Sequence, residues 1–253
     1  MSIFDTHAHY DDRAFDDDRE ALLTTLPENG VCGVVNAASD LASCHTGLAL
    51  ADSYPYLYAA VGIHPEAAFG LPEDYVEQLA AFYAHPKAVA IGEIGLDYHY
   101  EDACPRDIQQ QVFRRQVALA KELDAPVIVH DREAHEDTLA VLREYRPTGV
   151  LHCFSGSVEM MREVVALGMY IGLGGAVTFK NARKPVEVAA AVPLERLVLE
   201  TDAPYMAPVP LRGHRCDSSL ITHTAARIAE VRGMTVEALL AATAENARRL
   251  YRL

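Results

Sequence analysis

Two histidines stand one residue apart behind an aspartate in the segment FDTHAHYDD, Phe4 to Asp12. Strand side chains repeat every two residues, so His7 and His9 can present two imidazoles to one ion. An HxH pair alone is a weak signal. Further along the chain, ionisable residues of metal-ligand type close four short apolar runs: Glu93 in AIGEIGLD, His130 in VIVHD, His152 in VLHCFSG and Asp202 in VLETDAP. Four histidines and two carboxylates from five separate runs are a poor fit to a satisfied core, because buried charges are costly without partners. The chemistry they suit is a metal centre.

The elements that must position them follow from periodicity. Eight apolar runs are read as strands: Ile3 to Ala8, Val31 to Ala37, Leu57 to Ile63, Val89 to Asp97, Pro126 to His130, Gly149 to Phe154, Met169 to Gly174 and Leu197 to Asp202. Segments of helical spacing separate them, such as Asp107 to Leu123 and Val158 to Leu167. Eight βα units in 253 residues predict an α/β fold, a (β/α)8 TIM barrel forming a single domain over residues 1–253. In such a barrel the active site lies at the C-terminal ends of the strands, where the six residues fall. Two C-terminal helices, Ser218 to Val231 and Thr235 to Leu250, are expected to pack outside and close the chain.

Composition narrows the function. No apolar run approaches the roughly 18 residues a membrane span requires, and the residues before the histidines are too few for an export signal, so the pair is expected in the mature fold. Five scattered cysteines without a CxxC pair suggest neither a disulfide framework nor a zinc knuckle, and a reducing cytoplasm fits them. A formal net charge of −14 weighs against a clamp on duplex nucleic acid, though not against a phosphate held locally by metals. In IGLGGAVTF, Val177 stands where a dinucleotide fingerprint needs its last glycine, so Gly172, Gly174 and Gly175 are read as letting backbone approach a crowded barrel mouth. No obligate protein partner is evident.

Taken in order, DTHAH, GIHP, GEIGLDY, HDREA, HCFSG and ETDAPY resemble the TatD family of metal-dependent deoxyribonucleases, within the amidohydrolase-like barrels, over essentially the whole chain. The resemblance implies that His7, His9, Glu93 and Asp202 hold one divalent ion while Glu93, His130 and His152 hold a second, with Glu93 as the bridge. That suits the chemistry, since a carboxylate has two oxygens to span two ions and a neutral imidazole offers one nitrogen. Two ions would lower the pKa of a water toward about 7, and Asp202 would take its proton. The expected reaction is phosphodiester hydrolysis, in 3′–5′ exonuclease fashion on single-stranded DNA ends. Magnesium, manganese, zinc and nickel all remain open as the ion. The alternatives are a metal-dependent amidase, lactonase or esterase, aminoacyl-tRNA deacylation included, and an inert metal-binding scaffold.

Other residues carry two readings. His64 in GIHP, Arg132 in HDREA, Lys180 in TFKNA and Arg212 could meet substrate phosphates, against a loop-fixing role for the histidine and surface solvation for Arg132 and Lys180. Asp5 and Glu200, two residues before likely ligands, either orient a ligand or serve a hydrogen-bonded core. Cys153 should point away from His152 into barrel-to-helix packing. Asp16 to Asp18 should cap a helix N-terminus, and His45, His85, His135 and His223 read as surface residues. The loop LRGHRCDSS departs from the family pattern: Cys216 and Ser218 stand where asparagine and proline are expected, which puts substrate preference in question.

Overall fold

A computed structural model describes residues 2–100 and 104–253. Its strands are β1 (Ile3–Ala8), β2 (Val31–Ala37), β3 (Leu57–Val61), β4 (Ala88–Asp97), β5 (Val127–Arg132), β6 (Gly149–Leu151), β7 (Tyr170–Leu173) and β8 (Leu197–Leu199). All eight lie in one sheet in chain order, each parallel to the next. The ring is completed between β8 and β1, where Asp202 N–H donates to His7 O at 3.1 Å and His9 N–H to Ala203 O at 2.7 Å. The fold is therefore the (β/α)8 barrel expected.

Helices alternate with the strands: α1 (Arg19–Thr25), α2 (Leu41–Ser53), α3 (Tyr75–Tyr83), α4 (Arg106–Glu122), α5 (His135–Tyr145), α6 (Val158–Ala166), α7 (Arg183–Ala191), α8 (Ile221–Arg232) and α9 (Val236–Tyr251). Short polar residues start several of them. The Asp40 carboxylate and Ser43 hydroxyl form a reciprocal capping box on α2, and Ser157 and Thr235 accept from Met160 N–H and Ala238 N–H. None of these helices is long and apolar enough to cross a membrane, among the described residues.

Strands buried on both faces produce two cores. The larger lies between sheet and helices. In the smaller, Phe4, Val35, Ala60, Ala90, Ile128, Val150 and Val198 come from seven different strands and meet one another, which they can do only inside the barrel. The last turns of α9 join that inner cluster: Tyr251 stacks against Phe4 at 6.3 Å and donates its hydroxyl to Thr6 O at 3.0 Å. The final helix thus does more than pack outside, because its C-terminal end also closes the barrel floor.

Four strands stop earlier than the apolar runs suggest, β3 and β7 by one or two residues and β6 and β8 by three. β6 ends at Leu151 and β8 at Leu199, and shortly beyond them Cys153 (φ 43°) and Asp202 (φ 68°) take left-handed backbone that cannot continue a ladder. The aspartate run also departs from expectation. Asp18 precedes α1 but caps it with no side-chain bond, its two oxygens going instead to the Arg215 guanidinium at 2.7 and 2.6 Å, while Asp16 pairs with Arg19. A two-pronged charged contact outcompetes a single backbone N–H.

Candidate metal centre

Backbone irregularities accompany three of the six side chains, His7, Glu93 and Asp202. The register of β1 on β2 shifts between Asp5 and Ala8, and that of β4 on β5 between Ile91 and Ile94, so strict alternation fails at His7 and Glu93. His7, Glu93 and His152 are at most 4% exposed, and His9, His130 and Asp202 are half-buried.

Around one oxygen of Glu93, His7 Nε2 and His9 Nε2 lie 3.3 and 3.5 Å from Oε2 and 3.6 and 3.4 Å from Asp202 Oδ1. The two imidazole nitrogens are 3.0 Å apart. A tetrahedron of ligands about 2.1 Å from an ion has edges of about 3.4 Å, so these four atoms have the spacing of a first coordination shell. The other oxygen, Oε1, is 2.8 Å from His130 Nδ1 and 2.7 Å from His152 Nε2, which are themselves 3.3 Å apart. The two oxygens of one carboxylate thus face two separate groups of nitrogen donors. Mixed imidazole and carboxylate donors at this spacing fit divalent metal ions.

Charge points the same way. Burial works to raise the Glu93 carboxyl, but His152, His7 and His64, with the hydrogen bond from His130, outweigh it and hold the group well below its usual range. Asp202 is lowered against its burial by the bond from His9 and the charge of His7. Burial opposes charge on the imidazoles too. It takes His7 down to about 4 and His64 to about 3, yet the carboxylates beside His9 and His130 reverse it and raise those rings to about 9 and about 10. Two buried carboxylates therefore demand positive charge here, and protons on His9 and His130 supply it where metal ions would.

The other residues singled out in the sequence fall into place unevenly. His64 accepts from Glu66 N–H through Nδ1 at 3.2 Å, which leaves the proton of the neutral ring on Nε2, 3.8 Å from Glu93 Oε1. It fixes its loop and faces the centre at once. Arg132 ends β5 with its guanidinium 5.1 Å over the exposed Tyr100 ring, and Arg212 lies 4.3 Å over Phe179. Lys180 is exposed seven residues beyond the end of β7. Among the described residues, none of these three cations pairs with a carboxylate of the centre.

Asp5 takes the core role: its carboxylate accepts from Thr201 N–H and Oγ1 at 3.0 and 2.7 Å and from Ser218 Oγ at 2.7 Å, and bonds no ligand ring. Glu200 accepts from Cys153 N–H and lies 3.8 Å from His152 Nδ1, with burial pushing its carboxyl up to about 7. Its place explains a glycine, since a Cβ at Gly172 would stand 2.3 Å from Glu200 Oε2. Gly175 makes similar room for the Met206 carbonyl.

Cys153 is not in barrel-to-helix packing. Because β6 ends at Leu151, alternation does not reach it, and burial followed by the charges of Asp202, Glu200 and Glu93 drives its thiol up. The altered loop also reads differently in three dimensions. Cys216 and Ser218 are buried; the Ser218 hydroxyl donates to Asp5 and its N–H to Tyr10 Oη at 2.8 Å, a bond that a proline could not make. Cys216 and Ser218 thus belong to the packed interior beside Asp5 and Tyr10, and the exposed part of the loop, Arg212 to Arg215, faces solvent.

Sequence reasoning missed Asp97, which ends β4 with Oδ2 3.0 Å from His130 Nε2. It also missed a distribution of exposed apolar side chains: Phe69, Tyr100, Tyr205, Met206 and Val209 all follow strands β3, β4 and β8 at the end of the barrel that holds the centre. The Asp97 signal was present as an aspartate four residues after Glu93, but nothing in one dimension ties it to His130.

The family model described as TatD related DNase matches residues 4–252. The Bacillus subtilis protein named uncharacterized metal-dependent hydrolase YabD is 42% identical, covering 99% of both chains. A Pectobacterium parmentieri protein named 3′-5′ ssDNA/RNA exonuclease TatD is 34% identical over 99% of this chain and all of its own length. Among solved structures, the Escherichia coli K12 TatD homologue YjjV superposes with a TM-score of 0.92 at 34% identity, covering 99% of this chain and 98% of that one.

Proposed function

Because the chain belongs to the family of TatD related DNases and is a metal-dependent hydrolase, we propose that it cleaves phosphodiester bonds at the 3′ ends of single-stranded nucleic acid with two divalent ions. The carrying observation is the pair of donor groups on opposite oxygens of Glu93, 3.3 and 3.5 Å away on one side and 2.8 and 2.7 Å on the other. That is the arrangement a bridging carboxylate gives a two-ion site.

In this reading His7, His9 and Asp202 hold one ion, His130 and His152 the other, and Glu93 both. When bound, such ions polarise a phosphoryl oxygen and acidify a water. The protein's own groups do the rest. Asp202, ionised and set by its left-handed backbone at the end of β8, accepts the proton of the attacking water and returns it to the leaving oxygen. His64 presents its Nε2–H to a non-bridging phosphate oxygen. Arg132 and Arg212, each over an aromatic ring, and Lys180 meet flanking phosphates, while Tyr100, Tyr205 and Phe69 offer stacking faces for unpaired bases. The printed name of the Pectobacterium relative supports single strands of either DNA or RNA as substrate.

Stripped protein refilled with magnesium, manganese, zinc or nickel is given 5′-labelled single-stranded DNA and RNA, beside Asp202→Asn. A ladder shortening from the 3′ end, with turnover reduced about a hundredfold or more in the variant while metal is retained, supports the reading. Intact oligonucleotides under every ion, with hydrolysis of ester or amide substrates instead, would replace it with carbonyl chemistry.

A further inference from the structure

The ring of His130 is gripped from both sides. Its Nδ1 lies 2.8 Å from Glu93 Oε1, and its Nε2 lies 3.0 Å from Asp97 Oδ2. An imidazole that gives one nitrogen's lone pair to a metal must carry its proton on the other, and an acceptor at that other nitrogen fixes both tautomer and ring orientation. His9 is held this way too, through Nδ1 and the Ala37 carbonyl at 2.8 Å. By contrast His7 Nδ1 and His152 Nδ1 are buried and find no partner among the described residues.

Asp97 is itself immobilised. It is buried; its N–H donates to Gln109 Oε1 at 2.9 Å, Gln109 Nε2 donates back to its carbonyl at 2.8 Å, and its Oδ1 accepts from His99 N–H at 2.9 Å. Gln109 is 1% exposed and rooted in α4, so the aim of Oδ2 is set by a helix packed on β4 and not by a free rotamer. We propose that Asp97 is a positioning residue for the second ion: it takes the Nε2–H of His130 and so presents Nδ1 beside Glu93 Oε1 and His152 Nε2. This rests on the two-ion reading above. It adds a residue outside the six ligands on which one ion depends and the other does not.

The test is zinc binding to the full-length protein, with no reliance on turnover. Metal-free wild type, Asp97→Asn, His130→Asn and the double variant are titrated against a competing chelator, and zinc content is measured after dialysis at buffered free zinc. The expected result is two equivalents in the wild type, with Asp97→Asn weakening one of them about ten- to a hundredfold and leaving the other within about twofold. In the His130→Asn background the same substitution should change zinc affinity by less than about twofold, since its effect runs through that ring. A purely structural aspartate would instead weaken both equivalents together, or lower affinity equally in both backgrounds, and either result would overturn the proposal. So would a third zinc lost in Asp97→Asn, because His64, Asp97 and His130 also place ligand atoms within 4.8 Å of one another and Asp97 would then be a ligand. A wild type that binds only one equivalent sinks the two-ion reading separately. If Asp97→Asn fails to fold, Gln109→Leu, which unpins Asp97 without touching His130, should reproduce the selective loss in weaker form; loss of neither equivalent refutes it.

Discussion

Filling the centre with metal should expel protons, and the structure sets how many. Without ions, His9 and His130 are raised to about 9 and about 10, so both are charged at pH 7.5, while His7 and His64, lowered to about 4 and about 3, are neutral and have none to give. Ligation needs the neutral imidazole. Two protons are therefore released as two ions bind. Removing them at pH 7.5 costs roughly 5 kcal/mol in all at 1.36 kcal/mol per pKa unit, and the combined affinity should rise about two log units per pH unit between pH 7.5 and 9. Calorimetric titration of zinc or manganese into stripped protein, in buffers of different ionisation enthalpy, reads the count as a slope. Release of less than one proton for the pair, or affinity flat from pH 7.5 to 9, would refute the exchange of protons for ions. The same exchange raises the charge of the centre by two units, four gained and two lost, which prepares an acidic protein to hold a phosphate locally.

Linkage gives the metal-free protein a pH profile of its own. The raised His9 and His130 stabilise the fold below their unfolded value near 6.5 and lose that contribution as pH climbs through about 9 and 10, whereas the lowered His7 and His64 cost stability as pH falls from about 6.5 through about 4 and 3. Urea midpoints should therefore fall from pH 7 to 10 in stripped protein and fall less in metal-loaded protein; parallel curves would contradict the assignment. At the barrel floor, Tyr251→Ala should cost about 3–5 kcal/mol and Tyr251→Phe about 1 kcal/mol by urea denaturation, with zinc affinity unchanged in the phenylalanine variant. At the mouth, Tyr205→Ala should weaken binding of an unpaired oligonucleotide to the Asp202→Asn protein by about 1–3 kcal/mol in fluorescence anisotropy. Undiminished affinity would remove Tyr205 from the substrate path.

Much of this architecture could be read from one dimension because its main signals are local. Apolar runs alternating with helical spacing predict the barrel, and ligand-type residues closing those runs predict where a centre forms. What escaped depends on departures from regular geometry or on distant partners. Cys153 was misplaced because β6 stops at Leu151, before alternation can reach it. Asp5 could not be settled between its two readings, because the partners that decide it, Thr201 and Ser218, lie about two hundred residues away. Asp18 looked like a cap until Arg215, 197 residues away, claimed its carboxylate. The burial of Cys216 and Ser218 depends on Tyr10 and Asp5 at the other end of the chain.

The order in which the chain emerges during synthesis has a consequence for when the centre can exist. Of the six ligands His7 and His9 leave the ribosome before the others, but Asp202, beside them in space, follows almost two hundred residues later, and Tyr251, whose ring closes the floor beneath Phe4, comes later still. A nascent chain therefore carries an incomplete set of ligands through most of these residues and cannot complete it until Asp202, just beyond β8, is out. Nor can it seal the barrel floor until Tyr251 has emerged. A complete set of ligands is in this way withheld from every copy that has not passed Asp202, and a chain truncated before α9 should hold its ligands on an open-floored barrel.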